Sequence, residues 1–251
     1  MRIGIFGTGM IGASAGLAAR ARGDDVLGFD IDANAVTQAL ELGAIDRIAG
    51  RDELYASCDA VILAPHLQAT LDELTRIASH TFRDDLLIMD VASVKMPVAD
   101  AGRAQAAFVP AHPMAGRERH GPAAARADLF SERTWCYVPT SDAARTAGAR
   151  ALIERLGATP VAVDAREHDR IVALTSHLPQ LIAYAFTQCV GELDADPQTI
   201  DALCGPAARE LLRLGRSGTA MWNDIFAANA EAVTAARSHL EAVLDDRRLS
   251  G

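Results

Sequence analysis

The apolar positions of this chain change period along its length, and the change predicts two architectures in succession. Short, mostly apolar runs at 2–6, 25–29, 60–64 and 86–91 have the length and composition of strands buried on both faces. Between them, at 13–21 and from about 67 to 80, apolar residues recur at helical spacing. Shorter strand-like runs follow at 107–109, 134–139 and 159–163, with a helical pattern at 143–156 before the last. This alternation predicts a doubly wound parallel sheet of seven or eight strands over residues 1–164. Beyond that point strand-like runs stop, and apolar residues fall at helical spacing through 171–189, 199–214 and 220–244. A smaller, all-helical domain is expected over 165–251. A helical segment of that size is marginal if it folds alone, and the apolar stripe Leu181, Ile182, Phe186 and Val190 offers a surface for a second copy. A homodimer through the helical domain is the expected assembly.

The first strand runs into Gly7-x-Gly9-x-x-Gly12, the turn that seats a dinucleotide pyrophosphate against a helix N-terminus. Gly7 permits the turn, Gly9 lets the backbone approach phosphates, and Gly12 allows close packing of helix on sheet, with Met10 and Ile11 inside the turn as further cofactor contacts. The second strand ends at Asp30, about 20 residues past the glycines, where a carboxylate can accept hydrogen bonds from both adenosine ribose hydroxyls. The first half of the chain thus reads as a Rossmann-type nucleotide-binding domain. The Asp30 charge repels a 2′-phosphate, and residues 31–34 supply no Arg or Lys to bind one, so NAD is favoured over NADP. Asp32 is the better candidate to cap the following helix.

Composition narrows the partners. Half of the residues are apolar and 23% charged, as in a soluble globular protein, and the formal charge of −9 disfavours nucleic acid and anionic membrane. No apolar run reaches the ~18 residues that would span a bilayer. Cys58, Cys136, Cys189 and Cys204 are scattered without a C-x-x-C pair, and the N-terminus enters a strand directly, so a reduced, cytoplasmic location is expected. The seven histidines form no metal-ligand spacing, and no metal site is expected. A small-molecule substrate is the default partner.

In an open α/β sheet, ligands bind outside the carboxyl ends of the strands. Three post-strand segments carry reactive groups: Ala64-Pro65-His66, Asp90-Val-Ala-Ser93-Val-Lys95 and Pro110-Ala-His112-Pro-Met-Ala-Gly116. His112, on a stiff stretch between two prolines at the sheet edge, suits a general base, although a surface histidine in a proline-rich turn explains it as well. In the helical domain, Pro179 leaves the Thr175 carbonyl without its helical donor, so a kink is expected beside His177. Arg209, Arg213 and Arg216 lie near one another at helical spacing, and any of them could bind a carboxylate or simply be solvated. Trp222 is either core or a flat wall for a ring.

Taken in order, Gly7-x-Gly9-x-x-Gly12, Asp90-Val-Ala-Ser-Val-Lys95, His112-Pro-Met-Ala-Gly116, Ser176-His-Leu-Pro179 and Met221-Trp-Asn-Asp-Ile-Phe226 resemble prephenate/arogenate dehydrogenases of tyrosine biosynthesis over nearly the whole chain. The resemblance implies NAD-dependent oxidative decarboxylation of a cyclohexadienol carboxylate. It implies that His112 polarises the ring hydroxyl and takes its proton, and that Ser93 shares that hydroxyl. His177, Gln180 and Trp222 are then substrate contacts, Arg213 binds a substrate carboxylate, and Pro65 joins the cofactor contacts. Two departures fall near the expected side-chain site: Gln180 stands where some members carry histidine, and Gly218-Thr219-Ala220 where many have Asp-Pro. They leave open prephenate, arogenate or an amino-substituted prephenate of a secondary pathway, and an appended regulatory domain is not expected. The rival readings are a β-hydroxyacid dehydrogenase and a non-catalytic dinucleotide-binding protein. The first relies on a lysine in its helical domain, whereas residues 165–251 contain none. The second has no need of Ser93, His112 and Arg213 in one site.

Overall fold

The computed structural model describes residues 1–116 and 120–249 and divides into two compact units, Met1–Arg166 and Glu167–Gly251. In the first unit the apolar runs form strands β1 (Arg2–Phe6), β2 (Asp25–Phe29), β3 (Arg47–Ile48), β4 (Ala60–Leu63), β5 (Leu87–Asp90) and β6 (Phe108–Val109). They make one all-parallel sheet in the order β3-β2-β1-β4-β5-β6. The chain winds outward from β1 in one direction, returns, and winds outward from β4 in the other. The crevice between the carboxyl ends of β1 and β4 is therefore the switch point where α/β sheets bind ligands. Phe6 pairs with Phe29 and Leu63, and Leu63 with Asp90, so Gly7, Asp30, Ala64 and Val91 all lie one step past a single register row.

Helices α1 (Met10–Arg20), α2 (Ala33–Glu41), α3 (Arg51–Ser57), α4 (Leu67–Ile77), α5 (Met96–Gly102) and α6 (Ala143–Arg155) belong to this unit. Two apolar clusters hold it together, one around Ile3, Ile5, Val26, Ile62 and Met89, the other around Leu54, Val61, Leu63, Leu74 and Ile88. Alternate residues of β4 enter opposite clusters, which is why the strand is apolar throughout.

The expected single sheet of seven or eight strands is corrected to two sheets. The six-stranded sheet stops at Pro110, which has no N–H for a ladder, and the chain continues into β7 (Ala111–Pro113), β8 (Thr134–Tyr137) and β9 (Thr159–Ala162). These form a separate three-stranded sheet in which β7 is antiparallel to β8 and β8 parallel to β9. His112, expected on a stiff, non-helical stretch, is on a strand, opposite Cys136.

The second unit is helical among its described residues, and each of the three predicted runs is broken. A helix α7 (Ala165–Val172) leads through one π-helical turn (Ala173–His177) into α8 (Leu178–Gly191), and α9 (Pro197–Leu203), α10 (Pro206–Leu214), α11 (Thr219–Ala228) and α12 (Ala230–Leu249) follow. Pro206 opens α10 directly after Gly205, since proline suits a first turn and not an interior. Asp196 caps α9 by accepting from the Thr199 amide at 2.9 Å. The kink expected at Pro179 is taken up by the π turn, whose closing bond runs from the Leu178 amide to the Ala173 carbonyl.

Candidate functional site

Gly7 has φ +92°, and a Cβ there would lie 2.6 Å from the Pro65 nitrogen, so only glycine fits where β1 meets the β4 loop. A Cβ on Gly12 would fall 1.9 Å from the Gly7 carbonyl oxygen. Gly9 faces open space within 4 Å and caps α1 without a side chain. The first turn of α1, beginning at Met10 and Ile11, contains no acid, so its unpaired N–H groups are left for an anion. A cavity of about 500 Å³ opens on this turn, lined by Gly7, Gly9, Asp30, Ile31, Pro65 and His66 and also by Arg51 and Arg76.

Asp30 is held as well as placed. Its Oδ2 accepts from the Thr8 amide at 2.7 Å and the Thr8 hydroxyl at 3.2 Å, and its Oδ1 from the Asp32 amide at 3.0 Å. Capping of α2 falls to Asp32, which accepts from the Asn34 amide at 2.9 Å. These residues fit a dinucleotide: a cradle that a Cβ would fill, free helix N–H groups for the pyrophosphate, and an oriented carboxylate at the ribose position. The local reading of residues 31–34 did not find the cations of this cavity, because α3 and α4 carry them in.

The loop after β5 and strand β7 are tied through a buried ion pair. Lys95 and Asp90 are both fully buried; Lys95 Nζ donates to Asp90 Oδ2 and to the Ala111 carbonyl, each at 2.5 Å. Asp90 Oδ1 accepts from the Ala111 amide at 2.8 Å, and Oδ2 from the Ala92 amide at 2.9 Å. Burial pushes the Asp90 carboxyl upward, and Lys95 with the two amides pulls it back. The 90–95 loop that bears Ser93 and the strand that bears His112 are therefore bonded together through Asp90, Lys95 and Ala111. Both Ser93 and His112 remain partly exposed on that edge.

In the helical unit, His177 ends the π turn and is buried, with its ring edge-on to Trp222 at 6.2 Å. Asn229 Nδ2 donates to the Asp169 carbonyl at 2.8 Å and meets His177 Nδ1 at 3.2 Å. An amide donor at Nδ1 assigns the imidazole hydrogen to Nε2, leaving that nitrogen as a donor. Burial pulls the His177 pKa down to about 4, so the ring is neutral at physiological pH. Gln180 is also buried and donates to the Leu214 carbonyl at 2.8 Å, joining α8 to the end of α10. Arg213, on α10, pairs with Glu210 at 2.9 and 2.5 Å, whereas Arg209 is bound to Asp201 and to the Cys204 carbonyl. Sequence reasoning missed Asn229 as the partner of His177, and Asp169 as the partner of Asn229; Asn229 lies three residues past the Met221–Phe226 segment, and no local pattern shows what it faces.

Comparison with known proteins matches two family models to the chain, one after the other. The model of the prephenate dehydrogenase nucleotide-binding domain matches residues 15–162, and that of the prephenate dehydrogenase dimerization domain matches residues 164–248. The chain is 37% identical to a protein of Streptomyces niveus described as probable prephenate dehydrogenase NovF, over 91% of this chain and 63% of that one. It therefore spans a little under two thirds of that relative's length. It is 31% identical to the cyclohexadienyl dehydrogenase of Zymomonas mobilis, over 98% of this chain and 87% of that one. The solved prephenate dehydrogenase of A. aeolicus, in complex with hydroxyphenyl propionate and NAD+, superposes with a TM-score of 0.88 at 25% identity, covering 98% of this chain and 88% of that one. With both units matched in order, and a relative above 30% identity covered almost end to end, the chain belongs to the prephenate dehydrogenase family.

Proposed function

We propose that this chain is an NAD-dependent dehydrogenase that oxidatively decarboxylates a cyclohexadienol carboxylate, prephenate or arogenate. The observation that carries the reading is the cross-linked edge of Ser93 and His112, in the same unit as a glycine cradle that fits a dinucleotide. Gly7, Gly9, Met10, Ile11, Gly12, Asp30 and Pro65 hold NAD, which when bound supplies the hydride acceptor. His112 takes the proton of the ring hydroxyl as the carbinol carbon is oxidised, and Ser93 fixes the direction of that hydroxyl. Loss of carbon dioxide then aromatises the ring, and aromatisation supplies the driving force. What the chain must provide is alignment, a proton acceptor and an anchor for an anion.

The anchor is Arg213, whose guanidinium leaves Glu210 to hold a substrate carboxylate in a bidentate pair. His177 offers its Nε2–H to the substrate in neutral form, with Trp222 beside it as a flat wall. Gln180 keeps the α8 to α10 junction in place and presents its remaining amide oxygen. The helical unit pairs with a second copy, consistent with the dimerization-domain match and with the exposure of Leu203 and Leu244 at 81% and 48%. All four cysteines are free thiols, which supports a cytoplasmic location; no described helix is long and apolar enough to cross a membrane.

The test is formation of NADH, followed by its near-ultraviolet absorbance, with the purified chain and prephenate or arogenate offered separately. Turnover of at least one is expected. Silence with both, while NAD still binds, overturns the reading.

A further inference from the structure

Arg51 is a cation in the nucleotide cavity with no part in the proposed reaction. It opens α3 and lines the same cavity as Gly9 and Asp30. Its guanidinium carbon lies 5.5 Å from the centre of the Phe6 ring and 5.4 Å from that of Phe29, so it sits across the ends of β1 and β2, beside the residue that precedes Asp30. Among the described residues its one ion pair is a long contact, 3.7 Å to Glu73, and its guanidinium donates no hydrogen bond. Its neighbour Arg76 is differently placed. Arg76 donates to Glu73 at 2.8 and 3.1 Å and pairs with Asp52 at 3.0 Å, while Tyr55 donates to the same buried Glu73 at 2.6 Å. Glu73 is thereby committed to Arg76 and Tyr55, and Arg51 keeps an unspent fork of donors at the ribose end of the cavity.

We propose that Arg51 is a latent 2′-phosphate ligand and that Asp30 keeps it from being used, so that cofactor choice is set by one carboxylate beside a standing cation. The proposal rests on the nucleotide reading of the glycine cradle. A 2′-phosphate carries about two negative charges near neutral pH and would meet the Asp30 carboxylate first. With that carboxylate neutralised, the same phosphate would meet a planar guanidinium able to bind it in a bidentate way. The other acids lining the cavity are Asp72 and Glu73, and Glu73 is already occupied. Residues 31–34 alone would demand that a basic residue be introduced for NADP binding; the cavity already holds one.

The experiment is calorimetric titration with NAD, NADP and adenosine 2′,5′-bisphosphate of the full chain and of the Asp30→Asn, Arg51→Leu and double variants. Asn keeps a carbonyl oxygen for the Thr8 amide, and Asp30→Ser carries the same expectation should the amide disturb the turn. The expected result is that Asp30→Asn binds NADP and the bisphosphate at least about tenfold tighter than the parent does. That gain should disappear in the double variant and shrink with added salt. The proposal is overturned if the gain survives loss of Arg51, or if neither Asp30 variant gains NADP affinity while NAD still binds. A parent chain that binds neither NAD nor NADP overturns the cradle reading itself, and this proposal with it.

Discussion

His112 and His177 share a side chain and are set to different work by their surroundings. His112 lies partly exposed in the middle of β7, tied to the 90–95 loop through Ala111, and can pass a proton onward to solvent. Replacing it with Asn keeps the shape and removes the proposed base, so kcat should fall by about 10²–10⁴ with NAD affinity nearly unchanged; an unaltered kcat would remove His112 from the proton transfer. His177 is buried and held as an Nε2–H donor by Asn229, which suits binding and not proton transfer. Its pKa falls from 6.5 to about 4 on folding, so between those values the unfolded chain binds more protons than the folded one. Stability from this residue is therefore complete above about pH 6.5 and declines as the pH falls toward 4. Denaturation midpoints across that range should show the decline, and His177→Gln should flatten part of it. Arg213→Ala should raise KM far more than it lowers kcat, because the proposed carboxylate anchor would act in ground and transition states alike. A fall in kcat with KM unmoved would show instead that the arginine acts on the reaction step.

At the scale of elements, the β5 loop and β7 form a clamp, and Lys95 is its centre. Replacing Lys95 by Met leaves Asp90 buried without its cation, which should cost about 3–5 kcal/mol in unfolding free energy. The glycine turn, the first two strands and the capping of α2 by Asp32 were legible in the sequence because each rests on local chemistry: a φ that only glycine tolerates, an unbroken apolar run, a short carboxylate ahead of a helix. The second sheet was not legible. The apolar content of 107–113 is continuous across Pro110, and only the pairing of β7 with a distant β8 shows that the chain changes sheets there. The helical breaks at Gly205 and Asn229 were missed for a related reason, since apolar spacing continues through them while the backbone turns. The seating of Arg51 beside Asp30 arises from strand order, which brings α3 back to the end of β2. No local pattern around either residue carries that information.

Across the whole molecule, the two units are unequally supplied with core. The first has two clusters of buried apolar side chains, whereas the buried apolar residues described in the second are Val172, Ala173, Leu178, Ala183, Ile225 and Val233. Along α8, Leu181, Ile182, Phe186 and Val190 remain only partly buried. A helical unit so thinly filled gains by covering its stripe with a second copy. Sedimentation equilibrium should give twice the chain mass, and Phe186→Asp should shift it toward the monomer and lower the melting temperature; a monomeric parent would remove the dimer from the account. In the proposed reaction, oxidation at the ring hydroxyl and loss of the carboxylate occur together on this chain. The most direct test is to measure carbon dioxide released against NADH formed during turnover of prephenate and of arogenate. Equal amounts with an aromatic product are predicted, and NADH formed without carbon dioxide, or neither product from either substrate, would contradict it.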